Sequence, residues 1–117
     1  MTTLAAARAA LVTAVGATET YVDPPGCMVF SGGTDLTAPT LKGSVLWSWR
    51  VSCYVGEFKQ NAESSKDLSA YVAVKLAALF ALEGFSVDSV SPDTTRQIAG
   101  GDHLAADIAV SAYVTLS

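Results

Sequence analysis

SVLWSWRVSCYVG, residues 44–56, alternates without a break: Val45, Trp47, Trp49, Val51, Cys53 and Val55 fall on one side, and Ser48, Arg50, Ser52 and Tyr54 on the other. A period of two sustained this long marks a strand with one buried face. The stretch from Leu104 to Leu116 repeats the pattern, with Leu104, Ala106, Ile108, Val110, Ala112, Val114 and Leu116 turned inward. At about 3.3 Å per residue, strands of this length reach about 43 Å. A compact domain of this size has a radius of gyration of only about 13 Å. Either the strands bend sharply or their ends project, and projecting ladder groups are most simply satisfied by a neighbouring subunit.

Two helical patterns supply the cover for such a sheet. Thr3 to Val15 carries an apolar stripe of Leu4, Ala7, Leu11, Val12 and Val15, and Gly16 is placed to end it. A second helix follows the polar stretch opened by Asn61, with Ser64 and Asp67 as a variant capping box, and runs to about Glu83 before Gly84. Lys75 is the sole charge between Ala70 and Leu82. A run of that length falls short of the roughly 20 residues that cross a bilayer, so it predicts a helix buried on more than one side and no membrane span.

The remaining segments read as two short strands and their connections. Tyr21 to Gly26 holds two prolines and is an extended link into a strand over Cys27–Phe30. Ser31 to Gly43 and Ser91 to His103 lack a hydrophobic period and read as long loops, with Phe85 to Val90 a strand between the second helix and the second loop. The order helix, strand, strand, helix, strand, strand predicts an α+β fold: a mainly antiparallel sheet of about four strands with both helices on one face. Residues 1–117 read as a single domain, because two cores of half this length would not offset their ordering entropy.

Composition narrows the function. Half of the residues are hydrophobic, which is rich for so small a domain and predicts that some apolar surface meets a partner. Seven basic and eleven acidic residues leave a net charge of -4, with no basic run, so phosphate neutralisation cannot drive tight DNA binding. Met1-Thr2-Thr3-Leu4 runs into the first helix without a basic leader, which predicts folding in a cytoplasm. There Cys27 and Cys53 are expected to be buried free thiols, a disulfide or a metal pair being the alternatives.

No catalytic constellation emerges. His103, the lone histidine, sits beside Asp102 without a nucleophile in a sharp-turn motif, and is expected to be an exposed loop-end residue. Gly32-Gly33 and Gly100-Gly101 lack the context of a phosphate-binding loop, and the cysteines lack zinc spacing. Trp47 and Trp49, on one strand face, suit a core or an interface better than a base-stacking platform. No enzyme, cofactor or metal is predicted.

In layout the chain resembles the tail-terminator (tail-completion) proteins of long-tailed bacteriophages. The likeness spans nearly the whole sequence: the N-terminal amphipathic helix, the loop and strand through SVLWSWRVSCYVG, the helix SAYVAVKLAALFALEGF, and FSVDSVSPDTTRQIAGGDHLAADIAVSAYVTLS. The resemblance implies a structural virion protein of the tail or neck, assembled in the host cytoplasm as a hexameric ring. Such a ring caps the tail tube, ends its polymerisation and joins the tail to the head. Its partners are copies of itself, the tail tube protein and head–tail connector proteins, while DNA passes through the lumen without specific binding. On that footing Leu36, Leu41, Arg96 and Ile98, apolar or arginine side chains in polar loops, are the expected subunit-interface anchors. The alternative for these four is that they fold back over the protein's own core. Other readings of the chain are another neck or tail component, such as a connector or tube-like subunit, or a small ligand-binding or enzymatic α+β domain.

Overall fold

A computed structural model describes residues 3–22, 25–33, 44–57, 62–98 and 101–115. The described elements are α1 (Leu4–Val15), β1 (Gly26–Gly33), β2 (Ser44–Glu57), α2 (Ala62–Phe80), β3 (Ser86–Val90), β4 (Thr94–Ile98) and β5 (Gly101–Thr115). They form an antiparallel five-stranded sheet with two helices, an α+β fold. The sheet has one strand more than the pattern predicts.

β5 organises the sheet. On one edge it pairs with β2 from Ser44↔Thr115 to Tyr54↔Ala105, and β1 extends the sheet beyond β2. On its other edge β3 and β4 lie end to end, both antiparallel to it. The Ser-Pro segment between them is a break in one edge ribbon. Ser91 N donates to the Asp107 carbonyl at 2.8 Å, and the Ser91 hydroxyl accepts from Asp107 N at 2.8 Å. Pro92, which has no N–H, costs nothing at such a break.

The expected loop over Ser91–His103 is therefore largely strand. Thr94, Thr95 and Gln97 of β4 are exposed, so no hydrophobic alternation could advertise it. β1 likewise runs on to Gly33, past the expected end at Phe30, with a register irregularity between Ser31 and Gly33. α2 begins at Ala62, ahead of Ser64 and Asp67, so that pair does not cap it, and it ends at Phe80 rather than near Glu83.

Thr3 caps α1, its Oγ1 accepting from Ala6 N at 3.2 Å. Gly16 ends the helix at φ 65°, a left-handed conformation that glycine adopts without steric cost. Its N–H and that of Ala17 satisfy the carbonyls of Thr13 and Val12, and Lys75 Nζ donates to the Val15 carbonyl at 2.6 Å. α1 and α2 are thus tied together across the inner face of the sheet. The core there gathers Ala7, Leu11 and Val15 of α1, Leu68, Val72 and Leu79 of α2, and the inward residues of β2 and β5.

The long strands do not coil into a sphere. The radius of gyration is 15.1 Å and the principal extents are 49 × 26 × 23 Å. Fifteen residues of β5 at about 3.3 Å each account for the long axis. At one end β2 and β5 continue past the paired parts of both β1 and β3 as a ribbon, Ser44–Trp47 against Ala112–Thr115. Its inward Val45, Ala112 and Val114 join the core, while Thr3 bridges to Thr115 and Trp47 Nε1 donates to Ser31 Oγ at 2.9 Å.

Candidate assembly surface

The inner face of α2 is set by helical spacing, with Leu68, Val72 and Leu79 buried and Tyr71 and Leu76 packed against the core. Its outer face is also apolar. Ala70, Ala73, Val74, Ala77, Phe80 and Ala81 follow one another at three- and four-residue steps, and all are exposed. Val74 is 65% and Phe80 72% exposed. The helix expected to be buried on more than one side is buried on one, because the described residues place no second layer above it. The one cation of this run, Lys75, is turned to the Val15 carbonyl and sits 4.9 Å from the Tyr71 ring centre.

The stripe opens into a groove of about 450 Å³ between α2 and the end of β2. Pro25, Val55, Gly56, Asp67, Ala70, Tyr71 and Val74 line it. Burial, followed by the nearby Cys27 and Cys53, pushes the Tyr71 phenol up to about 12, so it stays neutral. The groove offers apolar area and one carboxylate, a lining suited to contact rather than proton transfer.

A second apolar patch lies on the opposite side of the molecule. There the outer face of the sheet carries Tyr113, 65% exposed, paired in register with the exposed Leu46, while the exposed Phe30 stands apart from them, two strands from Tyr113 and opposite Arg50. The Arg50 guanidinium lies 5.0 Å over the Phe30 ring.

Further along the same outer face sits a polar cluster. Arg96 grips Asp107 with both ends of its fork, Nη1 to Oδ1 and Nη2 to Oδ2 at 2.9 Å each, and Nη1 also donates to Ser52 Oγ at 2.7 Å. Ser52 Oγ donates to Asp107 Oδ1 at 2.8 Å, and Arg50 Nε is 3.9 Å from Oδ2. The hydrogen bonds from Arg96 hold the Asp107 carboxyl below its ordinary range against the opposing effect of burial. Of the four expected anchors, Arg96 thus has its charge satisfied inside the chain. Ile98 closes β4 opposite Gly101, and Leu36 and Leu41 lie outside the described residues.

His103 departs from expectation. It is 5% exposed, because β5 begins two residues before it and the link after α1 crosses the outer face above it. Tyr21 stacks on Tyr54 at 5.7 Å, and both rings flank the imidazole. The Tyr54 hydroxyl accepts from Val22 N and donates to the Val22 carbonyl, pinning the link. Gly26 makes room for it: a β-carbon there would fall 2.2 Å from the Tyr54 ring and hydroxyl. His103 Nδ1 lies 2.9 Å from the Val55 carbonyl. Its surroundings are structural, and among the described residues no group of three or more His, Cys, Asp or Glu gathers as a metal site.

The α2 stripe was legible in the run of residues 70–82, whose sole charge is Lys75, but the Tyr113 patch was not, since isolated aromatics on an outward strand face are ordinary. No protein-family model matches this chain, and a comparison with curated proteins finds no match.

Proposed function

We propose that the chain is a structural subunit that joins copies of itself head to tail, the α2 stripe of one copy seated on the outer sheet face of the next. The observation that carries this is the pair of different apolar patches on opposite sides of one chain. Val74 and Phe80 form one, and Tyr113 with its register partner Leu46 the other. Charge agrees: exposed Asp67 borders the first patch, and half-exposed Arg50 stands on the sheet face that carries the second. A self-complementary patch makes a closed pair, whereas two unlike patches make a heterologous contact that closes into a ring when the rotation permits.

Within that class the reading we adopt is a tail terminator of a long-tailed bacteriophage: a hexameric ring that caps the tail tube, ends its growth and joins tail to head. The layout of the sequence supports it, as do the elongated body and a net charge of -4, which lets DNA pass a lumen without adhering. Native mass spectrometry and electron microscopy, on the chain alone and with tail tube protein, test it. Single rings are expected. Extended stacks assign the chain to the tube instead, and a monomer under both conditions overturns the proposal.

Mixing variants tests the head-to-tail contact. Phe80→Asp and Tyr113→Asp are each expected to abolish self-association. Their mixture regains one intact contact and forms a heterodimer, because each variant retains the patch that the other lacks. If Tyr113→Asp assembles normally, the contact is stripe to stripe and the head-to-tail arrangement falls.

A further inference from the structure

Cys27 of β1 and Cys53 of β2 are direct partners in the sheet register, and both face the core with 2% and 0% exposure. Directly opposed residues of an antiparallel pair have α-carbons about 4.5–5.5 Å apart. A disulfide spans α-carbons about 4.4–6.8 Å apart, so the two thiols can be bridged without moving either strand. We propose that Cys27 and Cys53 form a thiol–disulfide exchange site, whose oxidation staples the edge strand β1 to β2 when the protein leaves a reducing compartment.

The two thiols are not equivalent. β2 is held on both edges, by β1 and by β5, whereas β1 pairs with β2 alone among the described strands, its outer edge meeting only isolated donors, the Thr18 N–H on the Cys27 carbonyl and Arg8 Nη2 on the Val29 carbonyl. β1 is therefore the strand that opens to solvent, and Cys27 the thiol that meets an oxidant. Its environment agrees: the hydrogen bond from Cys53 lowers the Cys27 thiol, and Lys75 adds to that against burial. Cys53 is pushed up by the same hydrogen bond and by burial. Lys75 is fixed beside them by its bond to the Val15 carbonyl.

The oxidant is a small-molecule disulfide such as oxidised glutathione. The Cys27 thiolate attacks one of its sulfurs, forming a mixed disulfide and expelling one glutathione thiolate. Cys53 then loses its proton and attacks the Cys27 sulfur, expelling the second. The two protons of the protein dithiol end on two glutathione molecules, and two electrons pass from the protein to the reagent.

Incubation of the full chain with oxidised glutathione at mildly alkaline pH, followed by acid quench, alkylation and intact-mass measurement, tests the proposal. The expected product is about 2 Da lighter and takes up no alkylating agent. Its thermal midpoint rises by roughly 5–15 °C and returns on reduction. Cys53→Ser is expected to accumulate the mixed disulfide at least about tenfold faster than Cys27→Ser, as Cys27 is the accessible thiol. The proposal is overturned if both thiols of the native chain stay alkylatable while the denatured chain oxidises. A disulfide that leaves the midpoint unchanged or lowers it overturns the staple.

Discussion

On the side of the sheet turned to the helices, Val51, Cys53, Ile108, Val110 and Val114 meet Leu11, Val15, Leu68 and Leu79 in a continuous apolar layer with almost no exposure. On the opposite side the same strands present Ser52, Tyr54, His103, Asp107 and Tyr113. There, cohesion rests on a few directional contacts: the Arg96–Asp107 fork, the Tyr54 hydroxyl on Val22, and the rings around His103. Burial of area is forgiving of detail but costly to remove, whereas directional contacts fail one at a time and respond to pH. The inner face therefore determines whether the chain folds, and the outer face determines which segments lie across it.

The sharpest way to break this contrast is Ile108→Ala, which removes a fully buried side chain at the centre of β5. A loss of about 2–5 kcal/mol is expected in urea unfolding, since transfer and cavity terms add. A smaller loss than that of any outer-face variant would invert the ranking.

Next is Asp107→Ala, which leaves the Arg96 fork and Ser52 without their acceptor. The Arg96 side chain is one-third exposed, so water screens the damage and a loss of about 1–2 kcal/mol is expected. The folded-state pKa of Asp107 is depressed, so its contribution is complete above the unfolded aspartate value of about 3.9. It is lost as pH falls through the lower, folded value. Urea midpoints of the parent chain and Asp107→Asn should differ at pH 7 and converge as pH falls below the unfolded aspartate value and through the lower, folded one.

Tyr54→Phe follows, expected to cost about 1 kcal/mol through the two Val22 hydrogen bonds while the ring stays packed on Tyr21. Faster hydrogen exchange confined to residues 18–22 would show that the hydroxyl holds the link, and a uniform increase would show that it does not.

How much of this was legible in the sequence follows the same division. Inner-face positions of β2 and β5 announce themselves by alternation, and α1 by its stripe and its Gly16 stop, whereas Thr3, read as the first helical residue, is the N-cap. β4 carries no such signal because its threonines and glutamine face water, so the TTRQI run reads as loop. The outer-face cluster is less legible still. Arg96 meets Asp107 across the strand register, and His103 is covered by Tyr21 from far along the chain, relations that no local pattern records. The Cys27–Cys53 pairing belongs with these, since register between β1 and β2 is fixed only in the folded sheet.

The smallest expected effect on stability belongs to Phe80→Asp, and it isolates what the apolar surface is for. Phe80 is 72% exposed and stands on the face of α2 opposite Leu68 and Leu79. Replacing it removes little buried area, and at an exposed position an acid at the last residue of α2 meets only a weak unfavourable dipole. Unfolding of the monomer should therefore shift by no more than about 0.5 kcal/mol, while the self-association proposed for this stripe is lost. A change in assembly without a change in stability separates an aromatic that serves a neighbouring molecule from one that serves its own fold. If Phe80→Asp instead destabilises the monomer as Ile108→Ala does, the outer face of α2 belongs to the fold, and the surface left for a partner shrinks to the Tyr113 patch.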